Sequence, residues 1–282
     1  KVFGFEPGIV GSGNFKISPP IVVGNIQSLY KKIKELRQEF GTIILDEMHH
    51  VSSATFSRVI DKSCARYKIG LTGTLQRKDG KHVVFRDYFG DNVFKPPKEN
   101  FMVPKIDILQ LPIRFIDGTS IPWANRINEL AYNPEYQHSI AMTASSYAAK
   151  GHKVLVVSDR VDFLKNCAKL TGDNAVYVTG DIPHEERPEI LQQIYKDKDI
   201  LYGTQSIFSE GISLNILSCL ILATPVNNEP LLTQLIGRVI RDYEGKQQPA
   251  IVDINLIGKT AKRQASQRLG YYIKQGYEIS TL

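Results

Sequence analysis

The sequence predicts an α/β protein built as two successive parallel-sheet units. Three observations carry this. Short apolar, β-rich runs alternate with helical stretches along nearly the whole chain, and such alternation builds parallel sheets with helices on both faces. The runs are continuously apolar rather than alternating with polar residues, which is the pattern of strands buried on both sides. A length of 282 residues suits two domains of ~150 residues each, and the middle of the chain breaks the rhythm.

In chain order, the first strand is expected at Ile21–Val23 and a helix over Ile26–Glu39. A strand over Ile43–Asp46, a helix over Ala54–Lys62 and a strand over Lys68–Leu71 follow. The stretch Asp91–Pro122 then carries Pro96, Pro97, Pro104, Pro112 and Pro122, which neither helices nor central strands tolerate. It reads as the exit from one unit and the crossing into the next, with an extended strand over Lys105–Phe115 inside it. The boundary is placed near residue 110, giving units 1–110 and 111–282. The second unit is expected to run as helix Ala124–Lys150, strand Val154–Ser158, helix Val161–Lys169, strand Ala175–Thr179 and helix Glu185–Tyr195. Strands Ile200–Thr204 and Cys219–Ala223, helix Leu231–Arg241 and strand Ala250–Ile254 complete it. No internal repeat or low-complexity tract interrupts the series.

Composition excludes several classes. Hydrophobic residues make up 42% and charged residues 23%, so disorder as the main state is excluded. Cys64, Cys167 and Cys219 are far apart and form no CxxC pair, which argues against a disulfide scaffold or zinc ribbon and fits a reducing compartment. No apolar run approaches the ~18 residues of a membrane span, and the first residues show no signal-peptide pattern. The formal net charge of +6 permits a polyanionic partner without establishing one.

Four constellations carry chemistry. In Ile43-Ile44-Leu45-Asp46-Glu47-Met48-His49-His50 a buried strand ends in two carboxylates and histidines. Ligands of open α/β sheets sit at the carboxyl ends of strands; there an Asp can hold Mg²⁺ and a Glu can orient an attacking water. A solvated loop after a strand would read the same way. In Gln234-Leu235-Ile236-Gly237-Arg238-Val239-Ile240-Arg241 the polar residues recur at helical spacing, so one helix face would present Gln234, Arg238 and Arg241. Neighbouring guanidiniums repel unless an anion separates them, and phosphate matches their fork. A basic solvated face is the alternative, but Gly237 lowers helix propensity and asks for a reason such as close backbone approach.

The third is the strand-to-loop stretch Tyr202–Ser213, joined by Ser158-Asp159-Arg160 and Thr179-Gly180-Asp181. Three strand ends would place small donors along one sheet edge, which suits a sugar–phosphate backbone read without sequence preference. The fourth is Gly70-Leu71-Thr72-Gly73-Thr74-Leu75-Gln76-Arg77, whose hydroxyls would link a nucleotide pocket to a nucleic-acid groove. A tight strand–helix turn explains it equally well.

In order and spacing these strings resemble the superfamily 2 helicases and translocases. Asp46–His49 resembles motif II, the DExH box; Thr72–Thr74 motif III; Val154–Arg160 motif IV; Thr204–Ser213 motif V; Gln234–Arg241, QxxGRxxR, motif VI. GNIQSL before DEMHH and GLTGTLQRKDG after it are similar to the branch of phage recombination helicases and transcription- and repair-associated DNA translocases. The resemblance implies two RecA-like lobes, the first incomplete, that use ATP and Mg²⁺ and act on DNA, single-stranded, duplex or branched, with RNA second. It implies a cytoplasmic or nucleoid-associated place, in the host cytoplasm if phage-encoded, and no membrane.

The resemblance also implies roles. Asp46 would hold the metal and Glu47 activate water. His49 and Gln234 would couple the lobes, and Arg238 and Arg241 would reach the γ-phosphate, Arg241 as arginine finger. Gly211 would lie at the nucleotide. Ser28, Thr72, Thr74, Ser158, Arg160, Thr179, Gly180 and Thr204 would line the nucleic acid. Two departures stand out: Ser213 replaces the usual Asp, and Gly73 interrupts the SAT or TAT triplet.

One element is missing. No GxxxxGK(S/T) loop, whose N–H groups and lysine grip the β and γ phosphates, occurs. Gly11–Lys16 is the nearest string, but its spacing is wrong and Ile17-Ser18-Pro19-Pro20 cannot continue as the required helix. The expectation is a chain that begins inside the first lobe, after that loop, belonging to an ATP-dependent helicase or translocase and inactive alone. The alternative is a non-hydrolysing nucleic-acid-binding module. A metal nuclease using Asp46 and Glu47 leaves the motif VI string unexplained. A zinc-protease helix at His184-Glu185-Glu186 fails because Pro188 stands where the second histidine belongs.

Overall fold

The computed structural model describes residues 4–48, 54–72, 84–94, 101–118, 120–210, 212 and 214–282. The chain forms two compact units, Lys1–Pro96 and Pro97–Leu282. Residue 110 thus falls within a strand of the second unit.

Unit 1 opens with β1 (Gly8–Gly11) and β2 (Asn14–Phe15), an antiparallel hairpin, and β3 (Val22–Gly24), parallel to β1. Ser12 and Gly13 both have positive φ, 49° and 82°, the conformation of a tight hairpin turn matched to strand twist. Gly11–Lys16 is therefore a hairpin and opens no helix. Helix α1 (Ile26–Leu36) starts at Asn25, whose side chain accepts from Gln27 N–H. β4 (Thr42–Leu45) pairs in parallel with β5 (Tyr67–Gly70) across α2 (Ala54–Lys62), and α3 (Val84–Phe89) follows. Leu45, Met48, Ile60 and Phe85 form a small core.

Unit 2 is one seven-stranded, wholly parallel sheet. Its strands are β6 (Lys105–Arg114), β7 (Val154–Ser158), β8 (Ala175–Val178), β9 (Ile200–Thr204), β10 (Cys219–Leu222), β11 (Ala250–Ile257) and β12 (Glu278–Thr281). The order is β12-β6-β11-β10-β7-β9-β8. Its helices are α4 (Trp123–Tyr132), α5 (Pro134–Ala149), α6 (Val161–Thr171), α7 (Arg187–Lys196), α8 (Gln205–Glu210), α9 (Glu229–Val239) and α10 (Lys259–Gln275). Two apolar layers sandwich the sheet. Tyr136, Ile140, Phe163 and Ile221 belong to one; Leu155, Phe208, Leu235 and Tyr272 belong to the other. Every residue of β7, β9 and β10 is buried, as their continuous apolar runs require.

Two elements depart from expectation. The long helix predicted over Ala124–Lys150 is two helices, because Asn133 closes α4 and caps α5 with Pro134 in its first turn. The glycine- and hydroxyl-rich loop predicted after β9 begins as the helix α8. The strand expected over Lys105–Phe115 forms as β6, and Pro112 inside it is tolerated because the β6–β11 register shifts there and spares the missing N–H. Helix α10 and strand β12 were not foreseen.

Candidate nucleotide and nucleic-acid site

In unit 1 the carboxyl end of β4 presents Asp46 and Glu47. Asp46 is exposed, and its Oδ1 accepts from the Glu47 N–H at 2.9 Å. Glu47 has φ 49°, a region non-glycine residues rarely occupy, and such a conformation costs on the order of 1–3 kcal/mol. The neighbouring backbone holds it. Met48 N–H donates to Leu71 O at 2.9 Å, and Leu71 N–H donates to Leu45 O at 2.8 Å. Gly70 makes room: a Cβ there would lie 2.2 Å from Met48 Sδ. The end of β4 and the residues after β5 are thus locked together. Ser28, in the first turn of α1, and Thr72 are half-buried. His49, Thr74, Gly211 and Ser213 lie outside the described residues.

In unit 2 the hydroxyl-bearing strand ends are neighbours, because β10, β7, β9 and β8 lie side by side. Ser158, Thr179, Thr204 and Thr224 are buried. Gln205 Nε2 donates to Thr224 Oγ1 at 3.1 Å, Thr224 Oγ1 donates to Ser158 Oγ at 3.4 Å, and Arg160 N–H donates to Ser158 Oγ at 3.1 Å. The Thr179 hydroxyl donates to Asp181, whose other oxygen lies 2.5 Å from Lys165 Nζ. These two donors hold the Asp181 carboxyl down at about 2. The Ser158 hydroxyl, expected to face a ligand, is taken up by the Arg160 N–H and Thr224, and the Thr179 hydroxyl by the half-exposed Asp181 carboxylate. What the edge leaves exposed or half-exposed is Gly180, Asp159 and Arg160. Thr204 Oγ1 is buried and has no hydrogen-bond partner among the described residues.

The motif VI string divides differently from its spacing. Helix α9 carries Gln234 and Arg238, but ends at Val239 with Ile240 as its C-cap. Arg241 stands beyond the helix, in an antiparallel bridge to Phe101, and Met102 N–H donates to Ile240 O at 2.7 Å. Lys246 Nζ donates to Arg241 O at 2.7 Å and Asn215 O at 3.0 Å; burial lowers its pKa to about 8. Arg238 Nε donates to Phe208 O at 2.7 Å, tying α9 to α8. A Cβ at Gly237 would meet no atom within 4 Å, so the close approach expected there is not made.

Behind α9, the buried Arg268 of α10 donates to both oxygens of buried Asp253, with Nη2 at 2.6 Å, and to Asn227 Oδ1 at 3.3 Å. Tyr272 Oη donates to the same carboxylate at 3.0 Å, and Thr233 Oγ1 meets Tyr271 Oη at 2.8 Å. Asn228, next to Asn227, caps α9. Thr224 was findable in the sequence, since it is a hydroxyl at a strand end like the others. Lys246 and Phe101 were not, because they act through backbone carbonyls and a backbone bridge that no motif spacing encodes.

A parallel sheet with a DExH strand end in the preceding unit and QxxGRxxR on the connection between β10 and β11 defines a class, and comparison with known proteins agrees. Residues 4–77 match the family of the type III restriction enzyme res subunit, and residues 138–243 match the helicase conserved C-terminal domain. A probable helicase, D10 of Escherichia phage T5, is 45% identical over 286 residues, covering 100% of this chain and 64% of its own length. The DNA 3'-5' translocase XPB2 of Sulfurisphaera tokodaii is 34% identical over 95% of this chain and 70% of its own. The ATP-dependent DNA helicase uvsW of Enterobacteria phage T4 is 27% identical over 94% of this chain and 56% of its own. The crystal structure of T4 UvsW superposes with a TM-score of 0.51 at 24% identity, over 97% of this chain and 61% of that one. A fragment of a putative type I restriction HsdR subunit from Vibrio vulnificus superposes at 0.73 and 19%, over 100% of this chain and 55% of that one; both show the fold. The chain belongs to the superfamily 2 helicases, with the RecA-like fold of that family. It spans 64% and 56% of the two phage relatives.

Proposed function

We propose that this chain forms part of an ATP-dependent motor that moves along or separates nucleic acid, with DNA as its substrate. The observation that carries the reading is that one chain holds both a strained Asp46–Glu47 turn at the end of β4 and, in its second unit, Gln234, Arg238 and a backbone-anchored Arg241. The names of two relatives, a DNA helicase and a DNA translocase, favour DNA; another is named an RNA helicase.

The residues fit a divalent metal of the Mg²⁺ type. Such an ion takes one or two carboxylates and completes its shell with water and substrate phosphates, so the single exposed Asp46 suffices. No group of three or more metal-binding side chains is needed, and none occurs among the described residues. Mg²⁺, when bound, would neutralise phosphate charge beside Asp46. Glu47 orients the attacking water. Arg238 and Arg241 meet charge that develops on the transferred phosphoryl group, where a planar fork outperforms a point charge. Gly180 and Arg160 run along the nucleic-acid backbone without reading bases. No helix among the described residues is long and apolar enough to cross a membrane.

The sequence has no GxxxxGK(S/T) loop, so nothing in it holds the β and γ phosphates in line, and positioning is most of phosphoryl-transfer catalysis. The 282-residue chain therefore binds DNA weakly, with affinity falling steeply with salt, and does not hydrolyse ATP by itself. In a chain extended by a segment that carries such a loop, Arg241→Ala lowers kcat by roughly 10³-fold and leaves ATP affinity nearly unchanged, and Glu47→Gln abolishes hydrolysis. Steady-state ATPase assays with and without single-stranded DNA test this. Motor-rate hydrolysis by the 282-residue chain, lost in Glu47→Gln, would overturn the argument about phosphate grip. An Arg241→Ala variant with intact kcat and a raised KM would show a residue that only binds.

A further inference from the structure

The loop leaving β6 carries the chain's only tryptophan to the amino end of α4. The Trp123 side chain is 38% exposed, though its ring packs against buried Phe115 at 5.4 Å between centroids. Arg126, one turn along α4, lies over the indole at 5.1 Å. Its guanidinium has no hydrogen-bond or ion-pair partner among the described residues, and its Nε is shut from solvent without one. The ring is the contact that holds this cation. Arg160 reaches the same helix. It stands two residues after β7, its Nη1 pairs with Asp159 at 3.1 Å, and its Nη2 donates to the Ala124 carbonyl at 3.4 Å. The head of α4 is thereby joined to the carboxyl end of β7.

One further feature points to an anion. The N-cap of α4 is Pro122, which makes no side-chain cap, and the first turn holds no acidic residue, so its leading N–H groups and the positive end of the helix dipole are left for a ligand. The same loop supplies Asp117, whose Oδ1 accepts from Thr260 N–H at 2.8 Å at the start of α10. That carboxylate caps α10, whose first turn holds no acid of its own. Asp117 and Asp159 are both engaged, and Glu129, one turn beyond Arg126 on α4, is exposed.

We propose that Trp123 and Arg126 form a stacking platform for an unpaired base of single-stranded nucleic acid, with Arg160 fixing its place beside β7. This rests on the nucleic-acid reading above and adds to it a residue that touches bases rather than backbone. Arg126 passes from the indole to a phosphate at the head of α4, and the vacated ring face takes the base. The exchange replaces a cation–π contact by a charge-assisted bond and a base–aromatic stack, both sequence-tolerant. Duplex DNA keeps its bases stacked on one another and cannot use the platform.

Because Trp123 is the only tryptophan, its emission reports this site alone. The 282-residue chain is titrated with a fluorescein-labelled oligo(dT) and, separately, a labelled duplex of equal length, following anisotropy and indole emission together. The expected result is quenching by oligo(dT) that saturates with the anisotropy, and none by the duplex. Trp123→Ala weakens oligo(dT) binding about tenfold, and Trp123→Phe, which still stacks, stays within about threefold. If Trp123→Ala loses its native circular dichroism, Arg126→Ser serves instead and weakens oligo(dT) binding at least about threefold. Oligo(dT) that binds with unchanged emission, a folded Trp123→Ala that binds as the parent does, or equal quenching by the duplex overturns the platform and leaves the nucleic-acid reading standing. Absence of binding to either probe at low salt overturns both.

Discussion

The sheets of the two units are made from the same kind of strand and live in different surroundings. β4, Thr-Ile-Ile-Leu, and β10, Cys-Leu-Ile-Leu, are four-residue parallel strands of nearly continuous apolar sequence. Ile221 of β10 is wholly buried between two layers, whereas Ile44 of β4 is 60% exposed, and Ile69 and Tyr67 on the paired β5 are exposed too. An apolar run therefore specifies a strand, and specifies that both faces suit burial, but does not say how many layers cover it. Among the described residues, one face of β4–β5 is uncovered. Polar groups divide likewise: unit 2 buries a charge pair, Asp253–Arg268, and unit 1 shows the half-exposed Lys32–Glu35 pair.

The largest expected effect lies in that buried pair. Arg268→Met strands the Asp253 carboxylate in the core and destabilises unit 2 by ~3–5 kcal/mol, while the double variant with Asp253→Leu regains most of the loss. Lys32→Met in unit 1 costs no more than ~0.5 kcal/mol, because both partners stay hydrated. Urea unfolding followed by Trp123 emission measures the first. A single variant costing under ~1 kcal/mol would mean water reaches Asp253.

Next comes the isoleucine comparison. Ile221→Ala is expected to cost ~2–5 kcal/mol, and Ile44→Ala to stay within ~0.5 kcal/mol. Comparable losses at the two positions would show that the outer face of β4 is covered in solution. Smaller still is Gly70→Ala, at ~1–3 kcal/mol, since the new methyl must displace the flexible Met48 side chain. Its sharper readout is the backbone amide shift of Glu47, which moves if the end of β5 holds the DExH turn.

The smallest effect is electrostatic and exposed. Asp181 is expected to titrate at about 2, below its ordinary value, because Lys165 and Thr179 bond the carboxylate. A lowered carboxyl pKa adds stability that is fully present above the unfolded value of ~3.9 and is lost as pH falls through the folded value. Carboxyl ¹³C titration checks it, and Lys165→Met should return the midpoint toward the usual range. An unchanged midpoint in that variant would assign the shift to Thr179 alone.

Most of this architecture was legible. Val154–Ser158, Ile200–Thr204 and Ala54–Lys62 fall where their apolar patterns put them, because a strand or helix with one destination leaves a clean period. The helix over Ala124–Lys150 was read through Pro134, although Asn-Pro signals a cap. The last helix and strand were missed because α10 is mostly polar and basic, its packing resting on Arg268, Gln264 and two tyrosines rather than on an aliphatic stripe. At the site, the residue types and their sheet edge were readable. The partners that take up the Ser158 and Thr179 hydroxyls and the place of Arg241 outside its helix were not; the last is decided by a backbone bridge to Phe101, distant in sequence.

The position of β6 also sets a timetable for synthesis. It is the first strand of its sheet to be made, yet its neighbours are β11 and β12, the last two. The ribosome must add everything between Arg114 and Ala250 before β6 gains a partner, which at ~5–20 residues per second takes roughly seven to thirty seconds. Strands β7 to β10 can assemble among themselves meanwhile, so the nascent sheet grows from its middle and its oldest strand waits. Ile106, Ile108 and Ile113 wait unpaired during that interval, and Pro112 in their midst offers no N–H to an intermolecular ladder.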